Sequence, residues 1–185
     1  MDRRVERTKR NIYLAFFELM KKKAMDDITI TELAAAADID RRTFYKHYST
    51  VIDVYEEFMR QMQEQLIAYL EACDRGDRFD FEQFFSLLEE MLGSQRDFFE
   101  KLSKDKASMF LRYDCKDALE NALKQYYRGR FPGTPAESDM YVRILAYTIT
   151  GLGSDFLTDK HDLSFSDFFS LATPSLEKLW VPRTN

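Results

Sequence analysis

Between Thr29 and Tyr48 the chain reads TITELAAAADIDRRTFYKHY, and two helix starts in so short a stretch leave it little freedom. Thr29 and Glu32 form a Thr-x-x-Glu capping box, in which each side chain satisfies a backbone N–H at a helix start. The LAAAA run that follows supplies strong helix formers. A helix therefore begins near Ile30. Asp40 is a second N-cap candidate, so this helix stops near Asp38 and residues 37–39 must turn. Asp38 occupies the reversal, and Asp is one of the few residues with a side chain that tolerates a left-handed backbone. The second helix, predicted from Arg41 to about Tyr48, divides its residues between two faces. Phe44, His47 and Tyr48 recur at i, i+3, i+4 with Ile39 just before them and turn inward, while Arg41, Arg42, Tyr45 and Lys46 turn outward. Three cations and a phenol on an unburied face, two of them arginines in the first turn, match a helix whose N-terminal end enters the DNA major groove. Bidentate arginine contact with guanine is the commonest specific pairing there. Charge alone would equally describe a solvated helix face.

The order of residues separates the two. From Leu33 to Tyr48 the chain reads L-A-x-x-A-x-I-x-x-x-T-F-Y-K-H-Y, which resembles the helix-turn-helix signature of the TetR family of bacterial transcription regulators. That signature is close to I-A-x-x-A-G-V-S-x-x-T-x-Y-x-H-F followed by a lysine. Leu33, Ala34, Ala37, Ile39, Thr43, Tyr45, His47 and Tyr48 match it. The resemblance covers residues 5–60 and beyond them extends to architecture alone. It implies that Thr43, Tyr45 and His47 lie near phosphates, and with the basic face it assigns Thr29, Arg41, Arg42, Thr43, Tyr45, Lys46 and His47 to DNA contact. Two positions depart from the pattern. Asp38 replaces the turn glycine and sets a negative charge near the duplex backbone, and Val51 stands where the family has its lysine, removing one expected phosphate contact.

The net charge of −5 suits this reading once it is divided along the chain. Residues 1–50 hold eleven Lys or Arg against eight Asp or Glu, a balance of +3, and the remainder is at −8. Basic charge therefore gathers where the helix-turn-helix lies. Cys73 and Cys115 are far apart and outside any metal-ligand spacing, so they read as unpaired thiols. No apolar run approaches the ~20 residues needed to span a bilayer, and the N-terminus leads into an amphipathic helix, so a soluble, cytoplasmic protein without a membrane partner is expected.

Taken in order, a first helix is predicted over residues 3–23, with Arg3, Arg4, Arg7, Lys9 and Arg10 at its leading end. After the two short helices comes a long one from Ser49 or Thr50 to about Cys73. Helices are then expected near 80–93, 95–104 and 107–128, a loop over the GRFPGTP segment, and helices over 136–157 and 163–180, the last kinked at Pro174. The fold class is thus all-α, about nine helices: a three-helix DNA-binding domain over 1–50, completed by the start of the fourth helix, and a helical regulatory and dimerisation domain over 51–185. By resemblance, the long helix transmits ligand binding to the DNA heads, and the last two helices pair across a two-fold axis.

No catalytic constellation is present: there is no G-x-S-x-G, H-E-x-x-H, P-loop or dinucleotide fingerprint, and the histidines are only His47 and His161. No enzyme activity, cofactor or metal is expected. Aromatic residues of the later helices, among them Phe84, Phe85, Phe110, Tyr113, Tyr126 and Tyr147, are candidates to line an effector cavity, with Gln83, Arg112 or Cys115 as polar groups. The reading is a homodimeric, sequence-specific regulator of transcription, a repressor released by a small-molecule effector. Its alternative keeps the DNA head and gives control to a protein partner, with room for activation.

Overall fold

A computed structural model describes residues 3–93, 109–158 and 162–183, with the side chains of 92–93, 109–112 and 158 outside the description. Among these residues the chain is all-helical: α1 (Arg3–Met20), α2 (Ile30–Ala36), α3 (Arg41–Tyr45), α4 (Val51–Cys73), α5 (Phe81–Gly93), α6 (Met109–Tyr126), α7 (Pro135–Thr158) and α8 (Phe165–Leu179). A 3₁₀ turn at Met25–Asp27 and one isolated bridge between Asp74 and Phe79 complete it. The helix expected over 95–104 lies outside the described residues, as does His161. No helix among those described is long and apolar enough to cross a membrane.

The chain forms two compact units, Met1–Gln61 and Met62–Asn185, with α4 contributing to both. In the first, the buried core is made of Ile12, Phe16 and Phe17 of α1, Leu33 and Ala34 of α2, Phe44 of α3 and Val54 of α4. Phe17 meets Phe58 edge-on at 4.7 Å between ring centroids. A unit of short helices depends on such contacts, since helices of this length are marginal alone. In the second unit α5 packs on α8 and α6 on α7. Its core is aromatic: Phe85 stacks on Phe169 at 4.3 Å, and Phe84, Tyr127 and Phe169 are sealed from solvent.

Element ends follow local chemistry. α1 stops at Met20 rather than running through the lysine run, and Lys23 turns its ammonium to Glu32 (2.7 Å) and the Asp27 carbonyl (2.9 Å). α7 starts at Pro135, one residue earlier than expected, because Thr134 and Glu137 form a capping box and proline suits a first helical position. α8 starts later than expected, at Phe165. Ser164 caps it, and Glu89 of α5 accepts from the Phe165 and Ser166 backbone N–H groups at 3.0 and 3.3 Å. Gly133 is constrained too, since a Cβ there would lie 2.8 Å from the Phe131 ring.

Candidate nucleic-acid interface

The two-helix unit is built by its caps. Thr29 Oγ1 accepts from the Glu32 N–H at 3.2 Å, while the Glu32 carboxylate accepts from the Thr29 N–H (3.0 Å) and hydroxyl (2.7 Å). Lys23 and then Thr29 hold the Glu32 carboxyl well down, at about 2. The Thr29 hydroxyl therefore already gives its proton to a neighbour. The turn closes through Ala37 N–H to Leu33 O (2.9 Å) and Ile39 N–H to Ala34 O (3.0 Å), with Asp38 at φ 55 between them. The predicted left-handed residue is thus where it was expected.

Asp40 caps α3 by accepting from the Thr43 N–H at 2.7 Å, and the same contact, followed by the Thr43 hydroxyl at 3.1 Å, lowers its pKa. α3 ends at Tyr45, short of Tyr48: the Lys46 N–H is shared between the Arg42 and Thr43 carbonyls, and His47 N–H drops back to Phe44 O. Lys46 and His47 thus sit on a tightened turn. Phe44 is fully buried and Tyr48 nearly so, whereas Arg41, Arg42, Tyr45 and Lys46 are exposed and Thr43 and His47 half-buried. Burial of two rings on one side fixes which side faces out.

The outward cations are not equivalent. Arg41 lies over the Tyr45 ring at 5.9 Å and donates to its hydroxyl at 3.4 Å. The Arg42 side chain has no hydrogen-bond or ion-pair partner among the described residues. Beside this face an open concavity of about 480 Å³ is lined by Ala35, Asp38, Ile39, Asp40 and Thr43. The Asp38 and Asp40 carboxylates at its edge would repel a phosphate placed there. Asp38→Gly is expected to raise affinity for duplex DNA about two- to fivefold, and Asp38→Asn, which keeps the left-handed tolerance, to do the same. Titration at fixed salt checks this; unchanged affinity for both variants would place Asp38 away from the duplex.

Nothing in the sequence signals the tie beneath this surface. Lys9 of α1 and Glu57 of α4 pair at 2.8 Å, and the Lys9 ammonium also lies 5.5 Å from the Tyr48 ring centroid. Burial is the strongest single influence on Glu57 and works against its ionisation, but the Lys9 hydrogen bond and charge, joined by the neighbouring Tyr48 and Tyr13 phenols, together outweigh it and its pKa falls. Gln61 donates to the Tyr13 hydroxyl at 3.1 Å, and burial pushes that phenol up to about 12. Partners 48 residues apart cannot be read from local spacing.

The effector candidates differ in exposure. Phe84 and Tyr126 are buried, Tyr113 and Tyr147 are half in solvent at 50% and 53%, and the Phe110 side chain lies outside the description. Phe84 packs on Phe79 and Phe85, while Tyr147 sits under the Lys116 ammonium at 5.1 Å. Cys115 has its thiol pushed up to about 12 by burial. Among the described residues no group of three or more His, Cys, Asp or Glu side chains is placed to hold a metal ion.

No protein-family model matches the chain. It is 24% identical over 158 residues to an uncharacterized HTH-type transcriptional regulator, YxbF, of Bacillus subtilis; the match takes in 82% of this chain and 40% of that protein, so the chain spans about two fifths of the length of the curated relative. Three solved structures share its fold. The dihydroxyacetone kinase operon activator DhaS is 18% identical, with 94% of this chain and 97% of that one covered at a TM-score of 0.61. NalD, the secondary repressor of the MexAB-OprM multidrug efflux pump in Pseudomonas aeruginosa, is 22% identical (92% and 96% covered, TM-score 0.58). A TetR transcriptional regulator from Streptococcus agalactiae is 20% identical (95% and 97% covered, TM-score 0.58). The fold is that of the TetR-family transcriptional regulators.

Proposed function

We propose that this chain, having the TetR-family fold, is a homodimeric, sequence-specific DNA-binding regulator of transcription working in the cytoplasm, and not an enzyme. One observation carries the reading: α3 buries Phe44 while Arg41, Arg42, Tyr45 and Lys46 stay in water on its other side. A short helix with that division can enter a major groove without unfolding its own support. Thr43 and His47 lie beside the cations, at phosphate level, and Thr29 stands at the start of the supporting helix. Before a phosphate can receive the Thr43 proton, Asp40 must give it up. DNA contact by all seven residues belongs to this proposal.

Dimerisation uses α7 and α8. Met140, Ile144 and Tyr147 of α7 are exposed at 56%, 47% and 53%, one helical face apart by i, i+4, i+7, and Gly151 continues the line. Leu171 of α8 is 74% exposed and Leu179 45%. A Cβ at Gly151 or Gly153 would meet nothing within 4 Å, which leaves room for a second copy to approach. Apolar faces of this kind favour a partner surface, and a two-fold dimer presents two copies of α3 to a two-fold operator.

Repression by occupancy is the default sign: a dimer on its operator excludes other proteins. An effector, a small molecule or a protein partner, lowers operator affinity when it favours a dimer with wrongly spaced heads. Because the operon activator DhaS and the repressor NalD both have this fold, activation is the second reading. Gel-shift titration of the full chain against duplex from the promoter of its own gene, repeated across salt, tests the reading. Tight binding whose logarithm falls steeply and linearly with log salt is expected. Equal weak binding to every duplex would refute it.

A further inference from the structure

Past Leu179 the chain stops being helical. Trp180 is extended (φ −69, ψ 128), and the residues that follow are held by groups from elsewhere in the second unit. The Trp180 ring packs against Phe79 at 4.1 Å and Tyr126 at 5.8 Å between centroids. Val181 donates its N–H to the Tyr141 hydroxyl and accepts at its carbonyl from the Tyr127 hydroxyl, both at 2.8 Å. Arg183 grips hardest. Its Nη1 and Nη2 donate to the two oxygens of Glu71 at 2.9 and 3.0 Å, its Nε donates to Asp74 at 2.9 Å, and its guanidinium lies 3.9 Å from the Tyr126 ring centroid. A bidentate, stacked arginine with 12% of its side chain exposed is far from the floppy surface pair that contributes little. Burial works against the Asp74 carboxylate, but the Gly76 N–H, the Tyr126 hydroxyl and Arg183 keep its pKa below the usual range. The 180–183 segment, outside any helix, is fastened by side chains distant in sequence.

What it is fastened to gives it meaning. Glu71 lies in the last turn of α4, Asp74 follows that helix directly, and α4 is the one helix shared by both units. We propose that the 180–183 segment is a clasp and that Arg183 is a positioning residue for DNA binding, acting by fixing the C-terminal turn of α4. The inference rests on the regulator reading above. A clasped α4 samples fewer orientations, so a larger fraction of dimers holds its heads at operator spacing. Release lowers that fraction, and the apparent dissociation constant rises in proportion.

Trp180 is the only tryptophan in the chain, so its emission reports the clasp. In full-length Arg183→Gln the emission is expected to move to the red, and the operator dissociation constant to rise about three- to tenfold with dimer fraction and helix content unchanged. Arg183→Lys, which keeps the charge without the planar fork, recovers part of the affinity. A red-shifted emission with wild-type operator affinity would overturn the positioning role, and an unmoved emission would overturn the clasp. A wild-type chain without operator preference sinks the regulator reading instead, and the tryptophan signal still decides on the clasp.

Discussion

Replacing Arg42 by alanine is expected to lower affinity for the operator about 5- to 100-fold while changing affinity for unrelated duplex much less. The guanidinium is exposed in the first turn of α3 and has no hydrogen-bond or ion-pair partner among the described residues, so its loss leaves no buried group unpaired. Stability should move by less than about 0.5 kcal/mol, as for ordinary surface substitutions. On the proposed reading, what is lost is a bidentate donor pair at the end of the helix that would enter the groove. Arg41→Ala is the internal comparison. Its side chain is held over Tyr45, so part of its effect comes through the phenol, and a smaller loss of preference is expected. Lys46→Ala should weaken operator and random duplex alike and reduce the salt slope by about one, the signature of a phosphate contact. Competition titrations with both duplexes separate the cases. Equal losses on both from Arg42→Ala would move that residue from the bases to the backbone.

The second large effect concerns assembly. Ile144→Glu together with Leu171→Glu is expected to give a monomer whose operator affinity is at least about 100-fold weaker, because the second half-site is then no longer engaged at high effective concentration. Both side chains are already exposed in the single chain, at 47% and 74%, so charge there costs the folded monomer little. In a helix bundle between two copies the same carboxylates would be desolvated without partners. Sedimentation velocity and operator titration read the two consequences independently. A variant pair that stays dimeric would place the interface elsewhere.

The helix-turn-helix was legible because every instruction for it is local. The Thr29–Glu32 capping box, the Asp40 cap and the left-handed Asp38 act over three or four residues, and all three stand where spacing put them. Arg42 came out exposed for the same reason, since Phe44 at i+2 lies on the other side of the helix and had to go inward. Ends shifted where a distant group took part. α8 begins where Glu89, some 76 residues earlier, reaches its first N–H groups. The fastening of Arg183 to Glu71, across 112 residues, left no local signal at all. The candidates for an effector cavity were the least legible, because aromatic spacing says a helix has an apolar side but not whether a ring ends in core, as Tyr126 does, or in water, as Tyr113 does.

That α3 meets DNA in two symmetric copies is tested most directly by letting the full chain select binding sites from a pool of random duplexes. The account predicts one enriched, two-fold symmetric sequence with half-sites ~34 Å or a multiple of that apart, absent when the Arg41→Ala, Arg42→Ala double variant is used instead. No enrichment by the wild-type chain, or the same sequence from the double variant, would contradict it.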